Sequence, residues 1–241
     1  MKAWLKEFAL RADEFVFSPF QSYMKVCDIL LIGIPGSGKG TQALKLVQKK
    51  SFFHLSTGDL FRYNLKEKSS LGLLAKSYID KGQLVPDFLT QDMVRDFIKN
   101  IPQTKSIVWD GFPRNLSQSE AFDDILKKNN RSLTKVFYLK LSETEVIERL
   151  SGRLYAPKSG LTYHIKNKVP KKKGICDVSG ETLISRSDDK KDVIKKRIAV
   201  FYEQTKALLN HYKQQNLLIE VEAFVKPDEL FQKILNHFKS F

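Results

Sequence analysis

The segment ILLIGIPGSGKGTQALKL, residues 29–46, places four glycines and a lysine between an apolar run and a helix-like pattern. A glycine, four residues and then Gly-Lys with a nearby hydroxyl is the spacing of a phosphate-binding loop. The rival dinucleotide fingerprint, Gly-x-Gly-x-x-Gly, fits less well. Glycines let successive backbone N–H groups face bound phosphates, and the lysine adds positive charge. We therefore predict a nucleotide-phosphate site at Gly36, Ser37, Gly38, Lys39, Gly40 and Thr41.

Short, nearly continuous apolar runs recur along the chain, as expected for strands of a sheet covered on both faces. They are residues 26–33, 52–55, 106–110, 135–141 and 217–222. Helix-like segments lie between them, which favours parallel strands joined by right-handed crossovers. We predict an α/β fold of the P-loop NTPase type, with a five-stranded parallel sheet flanked by helices.

Two intervals lack a run that could join this sheet. Residues 57–87 are polar and helix-like, while residues 153–187 are rich in Lys, Gly, Pro and Tyr and suggest loops and short strands. We predict both as insertions into one core, which consists of residues 26–56, 88–152 and 188–241. Residues 1–25 are an N-terminal extension, either an additional helix or an organelle-targeting presequence, and their acidic residues disfavour the presequence.

Composition restricts the class of protein. The formal net charge of +14 favours anionic partners such as nucleotides, nucleic acid or acidic membranes. Fourteen Lys or Arg but only five Asp or Glu lie between residues 149 and 197. No stretch approaches the ~20 apolar residues that span a bilayer, and Cys27 and Cys176 do not suggest a disulfide framework. We expect a soluble intracellular protein.

Six ordered blocks resemble the signature segments of the adenylate kinase family of nucleoside monophosphate kinases. They are GIPGSGKGTQ (33–42), HLSTGDLFR (54–62), DKGQLVPD (80–87), WDGFPRNLSQSEAF (109–122), ERLSGRLY (148–155) and RSDDKKDVIKKR (186–197). The resemblance covers about residues 26–212 and is to the long-lid type. It implies that residues 57–87 bind AMP, that residues 153–187 form a lid, and that the protein transfers a phosphoryl group reversibly from a nucleoside triphosphate to AMP with Mg²⁺.

The resemblance also assigns roles to a set of arginines. Phosphoryl transfer needs cations that converge on the moving group, and guanidinium groups suit this because they bind phosphate oxygens bidentately and stay charged. Arg62 and Arg114 match positions that bind the AMP phosphate. Arg153, Arg186 and Arg197 match positions that bind the transferred group, the last two also reaching AMP. The predicted catalytic residues are Lys39, Arg114, Arg153, Arg186 and Arg197.

The two bases are assigned in the same way. Gln118 matches the glutamine that binds the adenine edge of AMP, because an amide offers both a donor and an acceptor. Thr57 and Gly111 are predicted beside it, and since UMP and CMP kinases usually carry alanine at the Thr57 position, AMP is favoured over these alternatives. Arg149 matches a position that stacks on the donor base, and Tyr163 and His164 match a polar pair of the lid near the donor.

The predicted metal is Mg²⁺. Asp110 ends a strand-like run at what should be the carboxyl edge of the sheet, where an aspartate can hold Mg²⁺ through water, and Thr41 or Ser37 supplies a hydroxyl. The alternative is that Asp110 caps the next turn. Structural zinc needs four ligands, and the lid has only Cys176, with Ser179 where a second cysteine would stand. We expect no structural zinc.

The donor and the location are less determined. The stretches FRYNL (61–65) and LGLLAKSYIDKGQLVPD (71–87) resemble the GTP:AMP phosphotransferases of mitochondria, so GTP and ATP both remain candidate donors. That resemblance predicts a mitochondrial location, with the cytoplasm as the alternative. Leu154 in place of a second arginine and the segment VEAFVKP (221–227) depart from the family pattern. We expect a monomer that does not bind nucleic acid, although the charge leaves a P-loop nucleic-acid-binding protein as a rival.

Overall fold

The computed structural model describes residues 26–50 and 52–238, so the predicted N-terminal extension, residues 1–25, lies outside the described residues. The strands are β1 (Asp28–Gly33), β2 (Phe53–Ser56), β3 (Ile107–Asp110), β4 (Leu133–Lys140), β5 (Arg153–Tyr155), β6 (Thr162–His164) and β7 (Leu218–Glu222). The α-helices are α1 (Lys39–Lys50), α2 (Thr57–Lys66), α3 (Ser70–Ile79), α4 (Asp87–Ile98), α5 (Leu116–Lys128), α6 (Glu143–Ser151), α7 (Lys191–Gln214) and α8 (Pro227–Asn236).

Five strands form one parallel sheet in the order β2-β3-β1-β4-β7. This confirms the predicted α/β fold with a five-stranded parallel sheet flanked by helices. All six residues of β1 are buried, as the continuous apolar run indicates for a central strand. Because the strands are parallel, their carboxyl ends meet at one edge, where Leu31 and Ser56 are both paired in register with Asp110.

Each face of the sheet has its own apolar core. Alternate residues of β1 point to opposite sides. Leu30 and Ile32 join a cluster with α4, α5 and α7, whereas Ile29 and Leu31 join a cluster with α1 and α8. The helices therefore pack on both faces of the sheet and leave its carboxyl edge open.

The two predicted insertions have different structures. Residues 57–87 contain α2 and α3, which contact closely at Gly72. Residues 153–187 contain the hairpin of β5 and β6 and a small buried cluster around Cys176. The two ends of this segment pair with each other, since Tyr155 and Ile184 exchange two backbone hydrogen bonds of 2.8 and 2.9 Å.

Both cysteines are buried and free, in line with the absence of a disulfide pattern in the sequence. Among the described residues, no helix is long and apolar enough to cross a membrane.

Candidate active site

The phosphate-binding loop joins β1 to α1 at the carboxyl edge of the sheet. Gly36 and Gly38 have φ angles of +83° and +96°, which residues with a side chain rarely adopt. At Gly33 an added Cβ would lie 2.4 Å from Ser37 Oγ. The Ser37 hydroxyl is buried and has no hydrogen-bond partner within the described part of the chain. The glycines thus wrap the backbone tightly at the start of α1, where helix N–H groups and the helix dipole attract anions.

Lys39 lies at the start of α1. Its Nζ donates hydrogen bonds to the carbonyls of Gly33, at 2.6 Å, and Ile34, at 3.2 Å. Burial lowers the pKa of Lys39 to about 8, although the Asp110 carboxylate opposes this shift. The ammonium group is therefore positioned at the loop and is easier to deprotonate than an exposed lysine.

Asp110 ends β3 beside the loop. Burial would raise the pKa of its carboxyl, but His54 and Lys39 outweigh burial and hold the pKa below its usual range. Nε2 of His54 lies 3.4 Å from Asp110 Oδ2. Asp110 and Thr41 line the same cavity, so a charged carboxylate and a hydroxyl are available together. These are oxygen donors of the kind that Mg²⁺ prefers, and they fit the predicted metal.

One large cavity over this edge of the sheet gathers most of the predicted donor and transfer residues. The phosphate-binding loop and α1 contribute Gly36, Gly38, Lys39, Gly40 and Thr41. The predicted arginines are all present, namely Arg62, Arg114, Arg149, Arg153, Arg186 and Arg197. Segments far apart in sequence therefore converge on one space.

Carboxylates bind three of these arginines and approach a fourth. Asp189 binds Arg153 bidentately, at 2.5 and 2.7 Å, and Asp188 lies 3.0 Å from Arg197. Asp59 accepts a 2.5 Å hydrogen bond from Arg62 and lies 4.0 Å from Arg186. Burial opposes the charge on Asp59, yet the Arg62 and Arg186 guanidinium groups keep its pKa far below the usual range. The acids offset repulsion among the cations without neutralising them all.

Tyr155 of β5 links two of the cations. The Arg186 guanidinium carbon lies 4.1 Å from the centre of its ring, and that of Arg62 lies 5.8 Å away. Burial and repulsion by Arg62 and Arg153 lower the pKa of Arg186 to about 9, so it remains charged at neutral pH. A negative ring face stabilises such closely placed cations.

A second cavity adjoins the first and contains all but one of the residues predicted to bind AMP, since Arg186 lines the large cavity instead. Thr57, Arg62, Gly111, Arg114, Gln118 and Arg197 line it, together with the backbone of residues 82–85. The Gly111 carbonyl accepts hydrogen bonds from Thr57 Oγ1, at 2.9 Å, and Arg114 Nε, at 2.7 Å. The φ angle of Gly111 is +85°, and an added Cβ would lie 2.9 Å from Thr57 Oγ1, which explains why glycine is needed there.

Gln118 is 2 % exposed, and both ends of its amide are bonded. Oε1 accepts from the backbone N–H of Arg114 at 2.8 Å, and Nε2 donates to Asp87 Oδ1 at 2.6 Å. Nδ2 of Asn115 lies 3.3 Å from each Asp87 oxygen. The structure thus places Gln118 in the second cavity within a polar network.

Of the residues predicted near the donor base and in the lid, Arg149 lines the large cavity, whereas Tyr163 and His164 do not. Arg149 Nη2 donates to the Ala223 carbonyl at 3.0 Å, so its guanidinium is fixed at the rim of the large cavity. Tyr163 and His164 are buried inside the lid and are not brought to the cavity. Nδ1 of His164 accepts from two backbone N–H groups at 3.1 Å, which requires the Nε2-protonated tautomer and lets Nε2 face the Glu148 carbonyl at 3.3 Å.

One buried sulfur lies in the apolar cluster of the predicted lid, residues 153–187. Sγ of Cys176 lies 3.5 Å from Tyr163 Oη and 3.6 Å from Ser159 Oγ. Burial would raise the pKa of Cys176, but hydrogen bonds from Ser179 and Tyr163 lower it to about 6. Within the described residues, no group of three or more His, Cys, Asp or Glu side chains could hold a metal ion.

Three side chains at the site were missed by sequence reasoning, namely His54, Tyr155 and Asp87. Each stands within a signature block, so the blocks themselves were a signal. Their roles were not readable because their partners lie on other elements. The residues contacted by His54 and Asp87 are 56 and 31 positions away in sequence.

Known proteins resemble this chain over most of its length. A sequence model described as "Adenylate kinase" matches residues 31–217. The chain is 43% identical over 209 residues to a protein of Clostridium novyi (strain NT) named adenylate kinase, covering 87% of this chain and 97% of that protein. Adenylate kinases of Caldanaerobacter subterraneus subsp. tengcongensis and of Aster yellows witches'-broom phytoplasma are each 42% identical, over 86% of this chain and 93% and 95% of theirs.

The mitochondrial location predicted from residues 61–65 and 71–87 is wrong. These similar proteins are bacterial adenylate kinases and not mitochondrial GTP:AMP phosphotransferases. The resemblance in these two short stretches did not separate the two related groups.

Proposed function

The chain belongs to the adenylate kinase family, and from that premise we propose that it transfers the γ-phosphoryl group of ATP reversibly to AMP. The observation that carries this proposal is the convergence of Lys39 and six arginines on one large cavity that adjoins a second cavity containing Gln118. A phosphate-binding loop alone serves many activities. Two adjoining cavities with cations between them suit a reaction between two nucleotides.

The donor phosphates would bind at the loop. The backbone N–H groups of residues 36–40 and the Lys39 ammonium would supply positive charge. Electrostatic interactions are strong at a site from which bound nucleotide excludes water. Lys39 would exchange its carbonyl partners at Gly33 and Ile34 for phosphate oxygens. Arg149, held by the Ala223 carbonyl, can present its flat face to the donor base.

Mg²⁺ is a general requirement of the family, and in this chain Asp110, Thr41 and the unpartnered Ser37 hydroxyl would hold it with the nucleotide. When bound, it neutralises charge on the phosphate oxygens and so favours in-line transfer. His54 keeps the Asp110 carboxylate oriented toward this position.

The acceptor would bind in the second cavity. Arg62 and Arg114 would hold the AMP phosphate, and Gln118 with Thr57 would face adenine. Gln118 and Thr57 favour AMP over UMP or CMP, which are the alternative acceptors.

Arg153, Arg186 and Arg197 would act on the moving phosphoryl group. Asp189 and Asp188 hold Arg153 and Arg197 before substrate arrives, so little reorganisation of these two guanidinium groups is needed during transfer. The lid that carries Arg153 and Arg186 would also exclude water that could otherwise accept the phosphoryl group.

A coupled assay of ADP formation tests the proposal. ATP and GTP are each offered with AMP, UMP and CMP, and we expect the highest kcat/KM for ATP with AMP. A preference for GTP would reassign the donor, and a preference for UMP or CMP would reassign the acceptor. No phosphoryl transfer with any pair, together with salt-dependent oligonucleotide binding, would support the nucleic-acid-binding rival.

Two substitutions test the site assignment. We expect Lys39→Met and Arg114→Ala each to lower kcat/KM by about 10³-fold or more while the thermal unfolding temperature is retained. Lys45→Met is the matched control for Lys39, because Lys45 lies on the same helix and pairs with Asp228 away from the catalytic cations. Near-parental rates in both site variants would contradict the assignment.

A further inference from the structure

We propose that Asp87 is a positioning residue that fixes the orientation of the Gln118 amide and thereby makes the acceptor site select a 6-aminopurine over a 6-oxopurine. The inference deepens the proposed function and rests on its assignment of the second cavity to AMP. Asp87 is the first residue of α4, and Gln118 lies in the first turn of α5, so the contact joins two helices that border the cavity.

The orientation of the amide follows from the chemistry of its two partners. Arg114 contributes a backbone N–H, which can only donate, so Oε1 of Gln118 must face it. Asp87 contributes a carboxylate, which can only accept, so Nε2 must face Asp87. The two constraints are independent and agree. An amide rotated by 180° would place oxygen against oxygen at the Asp87 contact and N–H against N–H at the Arg114 contact.

Asp87 is itself oriented by a third amide. Asn115 Oδ1 accepts from the backbone N–H of Gln118 at 2.8 Å as the cap of α5, so Nδ2 of Asn115 is directed to the Asp87 carboxylate. The carboxylate therefore has fixed neighbours on both sides. Because Gln118 is buried, water cannot easily replace either of its contacts.

The hydrogen-bonding groups of the Gln118 amide that its protein contacts leave unused suit adenine. One N–H of Nε2 and one lone pair of Oε1 are left after the two protein contacts. Adenine offers an N6–H donor beside the N1 acceptor, which match Oε1 and Nε2 in this order. Hypoxanthine and guanine offer O6 and N1–H, which is the reverse order. A fixed amide would therefore reject IMP and GMP, whereas a rotating amide would accommodate both.

The test compares AMP with IMP as acceptors in the Asp87→Asn variant. An asparagine amide can accept from or donate to Gln118, so it keeps the shape but removes one of the two orienting contacts. We expect the ratio of kcat/KM for AMP to that for IMP to fall about tenfold, the effect of one hydrogen bond. Most of the change should appear in KM, because Asp87 does not touch the transferred group.

Asp92→Asn is the matched control, since Asp92 is exposed on the same helix and pairs with Arg95. It should leave the AMP to IMP ratio unchanged. Asn115→Ser is a second variant, because serine can still cap α5 but no longer donates to Asp87, and it should lower the ratio by a smaller factor. An unchanged ratio in both Asp87→Asn and Asn115→Ser overturns the proposal, as does a parent protein that does not discriminate AMP from IMP.

Calorimetric binding of AMP and IMP separates this inference from the proposed function. If the parent protein binds AMP in preference to IMP and Asp87→Asn reduces that preference, the inference stands even when ADP is not formed. If ADP is formed and the preference is unaffected by Asp87→Asn, the function stands and the inference is overturned. Thermal unfolding of each variant identifies a merely structural effect, which would weaken the binding of AMP and the binding of IMP equally.

Discussion

Lys39 combines two demands at the scale of a single residue. Its ammonium must carry positive charge to the phosphates, yet the loop that positions it also removes much of its water. Burial consequently lowers its pKa to about 8, compared with 10.5 for the unperturbed side chain. The charge on which donor binding depends is therefore lost within an accessible range of pH.

We expect kcat/KM for the donor to fall above about pH 8, as Lys39 loses its proton in the free protein. At saturating donor, kcat should persist to higher pH, because bound phosphates favour the protonated lysine. Stability should follow the opposite trend. Between about pH 8 and 10.5 the unfolded chain binds a proton that the folded protein has released, so the Lys39 contribution to the free energy of unfolding rises with pH.

A pH series of initial rates, with unfolding measured at the same pH values, checks this prediction. A kcat/KM that stays constant to pH 10 would show that Lys39 retains its proton and would contradict it.

Individual residues differed in how far the sequence alone could assign them. Gly36, Gly38 and Lys39 were assigned from their spacing because a tight loop between a strand and a helix is a local property. The contacts of Asp87 and His54 depend on how separate elements dock. No spacing rule encodes that docking, so the blocks indicated the region and not the partners.

At the scale of elements, the packing of α2 on α3 supports the acceptor site. An added Cβ at Gly72 of α3 would lie 2.2–2.3 Å from backbone atoms of Asn64 and Leu65. Backbone cannot rotate away as a side chain can, so the helices would have to separate. Since α2 carries Thr57 and Arg62, this separation would reach two residues of the proposed AMP site.

We therefore expect Gly72→Ala to lower the free energy of unfolding by about 1–3 kcal/mol. KM for AMP should rise while KM for ATP changes little, because the donor loop is on another element. Chemical denaturation and the two KM values measure this. Ser70→Ala in the same helix is the control, and equal behaviour of the two variants would show that the close contact is unimportant.

The ring of Tyr155 joins the lid to the α2 segment through two cations. We expect Tyr155→Leu to lower kcat/KM for AMP roughly tenfold, because Arg186 and Arg62 lose the ring that stabilises their proximity. Tyr155→Phe keeps the ring and should retain most of the activity. Steady-state kinetics of both variants measure the contribution of the ring. A leucine variant as active as the phenylalanine variant would show that the ring does not support AMP turnover.

At the scale of the whole molecule, positive charge is concentrated around the lid and the donor cavity, where a triphosphate would enter. We expect kcat/KM for ATP to fall about 3- to 10-fold as salt rises from roughly 0.02 to 0.2 M, with little change in kcat. Replacing the exposed Lys171, Lys172 and Lys173 by glutamine should reduce this dependence without changing kcat. Stopped-flow association or initial rates at several salt concentrations test it, and an identical salt dependence would assign the attraction to the cavity arginines alone.

The architecture as a whole was largely predictable. Continuous apolar runs give the five strands, because a strand covered on both faces has no polar side. The predicted and observed strands agree within two residues at nearly every end, for example 106–110 against Ile107–Asp110. The boundaries proposed for the core and the two insertions remain predictions, as does the monomeric state, because both concern movement and assembly.

The paired ends of the lid have a consequence for how such a protein can change over time. Tyr155 and Ile184 lie side by side as neighbours in a short ladder, so the chain leaves and re-enters the core at nearly one point. A second junction lies further along the segment, where Nε2 of His164 lies 3.3 Å from the Glu148 carbonyl and the Ile165 N–H donates to the Gly152 carbonyl at 2.9 Å. We expect changes of length to be tolerated best at the exposed residues 171–173, which take part in neither junction.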